Sequence, residues 1–513
     1  MHTLRLKLKT TEADEYNIER RFRAISHVHN ILVKECIRRL NRLKQDLNYH
    51  AAKAEYAQIM QTNDRGTDDE SRLKILGNIL NECIQKYGLT AESLESYIKP
   101  AQKKYRKLVT SQQVQKECRR VFNGVEKVLY GDGKQIHFKK ERNFSTISGK
   151  SNSNGVRFNR GTFSIEWTGL KIECDISRDI DYIRESLGNN KVKYCELKRL
   201  MFPNGWHYYV IIYLDGDAPR KYIESKKSCM GIDPGMSTVA GFSDTRCILE
   251  ELAPRAKEYD RRICSIQQKT DHKKRLLNPD RYNEDGTVVK SIKKPWTLSK
   301  GYLKLRDRLK YEYERKTAYV KQCHEELADR LIADSLDFIV EKMNYSALAR
   351  RSKKTERQEK ETEVKASDGT VKTVHKYKKK KCYGRSVNDR SPALFLTILE
   401  KKCISYGGTF NYINTASFKA SQYDHTSGEC TKIPLSQRRK LIGGHEVLRD
   451  LYSAFLIRNT DDDCLSPDRD RCIASYDIFL QHQGDEIIRI AREGADISPC
   501  FGLKKLRHVL TEH

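Results

Sequence analysis

Cys229-Met-Gly-Ile-Asp233-Pro-Gly-Met-Ser-Thr-Val-Ala-Gly-Phe-Ser-Asp244 is the stretch around which the rest of the chain organises. An apolar run ends on a carboxylate, Pro-Gly makes a turn, and Ser237 to Ser243 returns as a second strand. The turn leaves Asp233 at a strand end, accessible to a metal, although Asp-Pro-Gly taken alone is ordinary turn chemistry. A second apolar run, Leu336-Asp-Phe-Ile-Val-Glu341-Lys-Met-Asn344, also ends in an acid. A third segment, Arg449-Asp450-Leu-Tyr-Ser-Ala-Phe-Leu-Ile457, reads as a helix with Leu451, Ala454 and Phe455 on one face. Asp450 falls in its first turn, where an acid is favourable against the helix dipole with or without a catalytic role. The acids are 108 and 109 residues apart, room for a helical insertion and then a further strand-helix unit. A central sheet could bring all three to one point. Three carboxylates with no neighbouring base suit oxygen-preferring cations such as Mg2+. Two such ions about 3.5–4 Å apart support phosphodiester cleavage.

The composition agrees with a polyanionic partner. Of 513 residues, 97 are Lys or Arg and 69 Asp or Glu, a formal charge of +28 that points first to nucleic acid. The length suits roughly three domains. Hydrophobic content of 38% is low, yet 27 Tyr and 15 Phe argue against wholesale disorder. The 15 cysteines are scattered singly with no C-x-x-C pair, unlike a secreted disulfide framework. MHTLRLKLKT has no hydrophobic signal core, and the longest apolar run, about Tyr208 to Leu214, is far short of the roughly 20 residues of a membrane span. The expectation is a soluble protein of a reducing compartment with no membrane partner.

Residues 3 to 9 alternate apolar and charged, the period of a half-buried strand. From Glu12 to Leu47 the period changes to three and four, through Ile18, Phe22, Ile25, Leu32, Cys36 and Leu40. Helical patterning continues over Leu73 to Tyr87, Ala91 to Tyr97 and Gln112 to Leu129, and from Gly131 the texture is β-like, with strands at Phe163 to Trp167, Val192 to Leu200 and Trp206 to Leu214. This is a helical domain inserted into a small β-domain. Pro219 to Lys227 reads as a linker. A charged helical stretch runs to about Ala333 with an interruption near Pro279 to Pro295, and Arg351 to Lys381 is an insertion with 12 Lys or Arg against 5 acids. Such a run is either a solvated loop or a nucleic-acid contact.

The segments Gly231-Ile-Asp-Pro-Gly235, Phe338-Ile-Val-Glu-Lys-Met-Asn344 and Arg449-Asp-Leu-Tyr-Ser-Ala454, in this order, resemble the split RuvC nuclease of TnpB proteins and the type V CRISPR effectors. Phe395-Leu-Thr-Ile-Leu-Glu-Lys-Lys402 with Tyr406-Gly-Gly408 also agrees, so the likeness covers about residues 229 to 457, whereas the N-terminal half resembles the family only in layout. The resemblance implies a multidomain α+β protein: an RNase H-like (RuvC) α/β nuclease domain behind an N-terminal wedge-like β-barrel domain with a helical recognition insertion. On this sequence the wedge is 1–11 and 131–226, the recognition insertion 12–130, and the nuclease 227–414 with a helical insertion and the basic insertion 351–381. A degenerate zinc-ribbon-like segment is 415–445, and 446–513 completes the nuclease with C-terminal helices. The implied activity is RNA-guided endonucleolytic cleavage of DNA, with Asp233, Glu341 and Asp450 ligating two Mg2+ ions. The implied partners are a guide RNA and double-stranded target DNA carrying a short flanking motif. The implied setting is the prokaryotic cytoplasm, as a monomer or an RNA-bridged homodimer. An RNA-guided DNA-binding regulator, or a guide-free RNase H-like transposase or resolvase, remain alternatives, since fold alone does not set function.

One departure from the family concerns zinc. The family places two C-x-x-C pairs between the second and third acids. Here Ser421-Gln422-Tyr423 matches the lead-in, but Asp424 and Ser427 stand at the first pair and Lys440 and Gly443 at the second. His425 and Cys430 are the soft ligands nearby, too few to close a tetrahedral site, so no zinc is expected and packing must hold the segment. Lys419, Lys432, Arg438 and Arg439 are its candidate nucleic-acid contacts. Cys464 and Cys472 read as ordinary thiols. Trp206-His-Tyr-Tyr209 and Lys103 to Arg106 interleave aromatic and basic residues that either stack on bases or fill a core.

Overall fold

Alternation of Leu4, Leu6 and Leu8 with Thr3, Arg5 and Lys7 makes His2–Leu8 a strand, β1, with the three leucines buried. The computed structural model describes the chain except residues 62–65, 132, 189, 221, 225–227, 285, 290–293, 350–356, 366–370, 378–382, 435, 493–498 and 504–513, and except the side chains of 357–365, 371–372, 374–377, 416 and 499. The chain is mixed α+β and divides into two compact units, Met1–Arg220 and Lys221–His513. Among the described residues no helix is long and apolar enough to cross a membrane. Parts of the basic insertion 351–381, of the linker 219–227 and of the C-terminal stretch 446–513 lie outside the described residues.

In the first unit β1 is followed by five helices, α1 (Glu12–Leu43), α2 (Leu47–Gln61), α3 (Thr67–Lys86), α4 (Ala91–Tyr105) and α5 (Ser111–Leu129). α1 starts where Thr11 and Asp14 form a reciprocal capping box, Thr11 Oγ1 accepting from Asp14 N at 3.2 Å and Asp14 Oδ2 from Thr11 N at 3.0 Å. α4 runs beyond the Tyr97 expected from its pattern, through Pro100, because Ile98 is buried and Ala101 and Tyr105 pack on the core. Strands β2 (Thr146–Ser148), β3 (Arg157–Asn159), β4 (Ser164–Trp167) and β5 (Leu170–Asp175), helix α6 (Ile180–Gly188), and strands β6 (Val192–Phe202) and β7 (Gly205–Leu214) complete the unit. The sheet order is β2-β6-β7-β1-β5-β4-β3, with β1 antiparallel to both neighbours (Leu4 opposite Ile212, Leu8 opposite Cys174). The first strand thus joins a sheet whose other members follow after the helices. Arg199 is buried between the rings of Phe22 and Trp206, 4.2 and 4.4 Å from their centroids, and is hydrogen-bonded to Glu19 and to the carbonyl of Phe144. Of the Trp206–Tyr209 run, only Tyr208 is buried.

In the second unit β8 (Cys229–Pro234), β9 (Thr238–Ser243) and β10 (Arg246–Glu251) form a meander. α7 (Ala256–Leu276) and α8 (Lys300–Asp334) make a long hairpin, and β11 (Asp337–Glu341) then enters the sheet parallel to β8. α9 (Tyr345–Ala349), the antiparallel pair β12 (Arg357–Lys365) and β13 (Val371–Tyr377), α10 (Gly384–Arg390) and α11 (Pro392–Ser405) lead to β14 (Phe410–Ile413), parallel to β11. The five-stranded order is β10-β9-β8-β11-β14, in which β9 alone runs against the rest. α12 (Thr415–Phe418), the hairpin β15 (Arg439–Ile442) and β16 (His445–Leu448), α13 (Arg449–Arg458) and α14 (Arg469–Arg492) follow.

Each face of this sheet is covered. Met230, Ile232, Phe338 and Val340 point to the side that Leu327, Leu331 and Ile332 of α8 and Phe395 and Leu399 of α11 fill. On the other side α13 packs with Phe242, Phe455 and Phe479 in mutual ring contact, 4.8–5.6 Å between centroids. The expected amphipathic face of α13 is an underestimate. Leu451 to Ile457 are all buried, because sheet strands lie on one flank and α14 with the β15–β16 hairpin on the other.

Candidate active site

β8 and β11 run in the same direction and in register, with Ile232 opposite Val340. The next residues along each strand are Asp233 and Glu341. Their carboxyl groups are within hydrogen-bonding reach of each other. Both are partly buried. Burial, then the neighbouring Glu341 and Asp450, pushes the Asp233 carboxyl well above the usual carboxylate range, and Arg449 opposes the rise. Burial also raises Glu341, against the hydrogen bond with Asp233. Two like charges so close cannot both ionise freely without a cation between them.

Asp450 arrives on the face of the sheet that α13 covers, in the first turn of that helix. Gly231 sets how close that helix comes. Its backbone faces α13, and a Cβ there would lie 2.9 Å from Arg458 Cα and nearer still to the carbonyl oxygen of Ala454 and the nitrogen of Arg458. Only a residue without a side chain lets helix and strand meet at this depth. Asp450 is within electrostatic reach of Asp233. Its own oxygens are held by arginines: Oδ1 accepts from Arg449 Nε at 3.2 Å and Nη2 at 3.0 Å, and Oδ2 from Arg438 Nη1 at 3.2 Å. Arg449 also donates to the carbonyl of Gln437 at 3.2 Å, tying the helix start to the segment before β15.

The chain therefore gathers Asp233, Glu341 and Asp450 at the ends of the two inner strands β8 and β11, two as a contacting pair and the third across an arginine-lined gap. Among the described residues no three His, Cys, Asp or Glu side chains converge into a ready metal cage. Tyr345 closes the floor of the site. Its buried hydroxyl donates to the carbonyl oxygens of Pro234 and Gly235, at 3.2 and 3.4 Å, and braces the turn after Asp233. Burial and the two acids push its phenol up. Asn344 caps α9 by accepting from Ala347 N at 3.0 Å, which points Tyr345 inward. Sequence reading quoted Gly231, Arg449 and Asn344 without assigning these roles, and it passed over Tyr345. The signal available for Tyr345 was its place directly after the Glu341 strand.

The candidate basic contacts separate in space. Arg438 reaches Asp450, whereas Arg439 pairs with Glu446 at 2.6 Å and donates to the carbonyl of Gly502 at 3.3 Å. Lys419 and Lys432 are exposed. At the positions of the family's cysteines, Asp424 Oδ1 accepts from Thr426 N and Oγ1 at 2.8 and 2.7 Å, and Ser427 Oγ accepts from Glu429 N at 3.3 Å. These are turn contacts. Lys440 is buried with its ammonium 5.7 Å from the centre of the Tyr452 ring, and burial lowers its pKa. His425 is buried among Tyr452, Phe455 and Tyr476. Its backbone N donates to Tyr452 Oη at 3.2 Å, and Nδ1 lies 2.8 Å from the same hydroxyl. Burial lowers the His425 pKa. Cys430 is exposed, Cys464 partly buried and Cys472 buried.

No family model and no curated protein matches the chain. Among solved structures it is similar to a Cas12f1–sgRNA–target DNA complex at 10% identity, over 89% of this chain and 98% of that one, with a TM-score of 0.41. It is also similar to a CRISPR-Cas12f ternary complex at 11% identity, over 90% and 99% of the two chains, with a TM-score of 0.26.

Proposed function

We propose that the chain is an RNA-guided DNA endonuclease in which Asp233, Glu341 and Asp450 form a RuvC-type site. The observation that carries this reading is the Asp233–Glu341 pair at adjoining ends of two parallel strands, with Asp450 brought to it by α13 across Gly231. The strand order β10-β9-β8-β11-β14 puts β8 and β11 side by side inside the sheet, so that their ends bring the first two acids together. The basic excess and the helices placed between β1 and β2 suit a protein that holds RNA.

The donor set fits magnesium. It is all oxygen, with no soft ligand among the three, and the burial and then the neighbouring acids that raise Asp233 disfavour its charge in a way a hard divalent cation would relieve. Asp233, Glu341 and Asp450 would hold the ions, which when bound supply an activated water and charge stabilisation at the leaving oxygen. The residues of the chain do the rest. The strand register fixes the first two carboxylates side by side, and Tyr345 holds the turn that carries Asp233. Arg438 and Arg449 set the direction of Asp450 and bring positive charge beside the acids. No zinc enters this account: packing around His425 and Tyr452 supports the 415–445 segment.

The test is to purify the protein with its own genomic flanks, sequence the RNA that copurifies, and assay Mg2+-dependent cleavage of DNA matching the variable end. Asp233→Ala should keep RNA and target binding while cleavage falls to background. A discrete RNA with target binding but no cleavage by the unaltered chain would make it a regulator. Cleavage without RNA would make it a guide-free nuclease, and undiminished cutting by Asp233→Ala would remove the site.

A further inference from the structure

α7 turns Tyr259, Ile263 and Ile266 inward, and the Tyr259 ring stacks on Tyr319 of α8 with 5.4 Å between centroids. Its other side presents Lys257, Arg261 and Cys264 at helical spacing, all exposed. There α7 and α10 enclose a cavity of about 450 Å3. Small-molecule sites occupy about 300–1,000 Å3. Rim and floor differ in charge. Lys257 and Arg261 stand at the rim with no ion-pair partner among the described residues, and Arg385 joins them 3.6 Å from Asp389. On the floor Lys316 Nζ donates to Asp260 Oδ1 at 2.7 Å and to Asp389 Oδ1 at 2.6 Å, cross-linking the two helices. Arg390 is buried behind them, tied to Glu251 and to the carbonyl of Leu252. The floor is therefore fixed by its own hydrogen bonds. Among the described residues no donor reaches the second oxygen of Asp260.

A ligand of this cavity is anionic where it meets the rim and a hydrogen-bond donor where it meets the floor. One nucleotide of a strand has that form, phosphate outside and sugar hydroxyl inside. Only ribose carries the 2′-hydroxyl that could donate to Asp260. We infer that the cavity between α7 and α10 is a ribonucleotide subsite, with Lys257, Arg261 and Arg385 on the backbone phosphates of an RNA strand and Asp260 accepting from a 2′-hydroxyl. This rests on the proposed function only in requiring that the chain bind RNA. The acids at the ends of β8 and β11 take no part in it.

Cys264 lines the cavity and is exposed, so it reports occupancy directly. The full chain is treated with N-ethylmaleimide alone, with the RNA that copurifies, and with DNA of the same sequence, and the Cys264 peptide is quantified by mass spectrometry. RNA should slow modification of Cys264 and the DNA should not. The double variant Lys257→Glu, Arg261→Glu, checked for an unchanged melting temperature, should lose the protection. Two lost single-strand phosphate contacts should also lower the slope of log affinity against log salt by about 1.4. Equal protection by DNA would overturn ribose recognition. Bound RNA that leaves Cys264 unprotected, or a double variant with unchanged slope, would overturn the subsite while leaving a guided nuclease intact. Failure of the unaltered chain to bind any RNA would overturn both.

Discussion

Replacing Gly231 by alanine asks whether the depth of α13 on the sheet governs the site. A Cβ at 231 would lie 2.9 Å from Arg458 Cα, with the Ala454 carbonyl oxygen and the Arg458 nitrogen nearer still. Non-bonded carbons sit best at about 3.5–4.0 Å, so the helix must retreat by about 1 Å. It has little room to do so, since Phe455 is already 4.8 Å from the Phe479 ring and Leu451 to Ile457 are buried all round. Overpacking of this kind costs about 1–3 kcal/mol. In a unit of this size that lowers the melting temperature by about 2–5 °C. Asp450 rides on the same helix, and a 1 Å misplacement of a catalytic group can cost about 100-fold in rate. Gly241→Ala is the control. A Cβ there meets only side-chain ends, Met230 Sδ at 3.1 Å and Ile232 Cδ1 at 3.2 Å, which can move. Thermal melting and Mg2+-dependent cleavage of a matched target would be measured for both variants. Gly231→Ala that melts with the unaltered chain and cleaves within about twofold of it would refute the reasoning, because a 100-fold loss was expected.

Tyr345→Phe removes the donor to the carbonyls of Pro234 and Gly235 and should cost about 0.5–1.5 kcal/mol of stability, with slower cleavage and target affinity unchanged. Cleavage equal to that of the unaltered protein would deny Tyr345 its bracing role. His425→Ala should lower the melting temperature, whereas excess zinc chelator should leave the unaltered protein unchanged. A melting shift on chelation together with stoichiometric zinc by elemental analysis would reverse that view of residues 415–445. In the first unit, hydrogen bonds from Arg38 and Arg39 pull the Glu35 carboxyl down to about 2, against the opposing effect of its burial. A carboxyl depressed in the folded state adds stability above its unfolded value of about 4.3, and that stability fades as pH falls toward 2. Denaturant titrations between pH 5 and pH 2 (about the span over which Glu35 takes up its proton) should show Glu35→Gln with a flatter acid limb. Parallel limbs would remove the effect.

Much of this protein was legible along the chain. Leu4, Leu6 and Leu8 alternate, and Ile18, Phe22 and Ile25 follow helical spacing, because side-chain period depends only on local backbone geometry. The strands ending in Asp233 and Glu341 and the helix beginning at Asp450 were readable for the same reason. Their meeting was not. It depends on β11 entering the sheet beside β8 in register, 108 residues after Asp233, and such pairing is written in no local pattern. The full burial of α13 was hidden as well, since one flank is covered by strands and the other by α14 and a hairpin, all distant in sequence. So was the fate of the basic residues. Arg438 and Arg439 are neighbours on the chain, yet one turns to Asp450 and the other to Glu446, because adjacent residues of an extended segment face opposite ways. The amino-acid order by itself determined which residues make strands and helices and which carry charge. Only tertiary packing, through the bare backbone of Gly231 and the covered faces of one sheet, decided which carboxylates share a field and which arginine answers them.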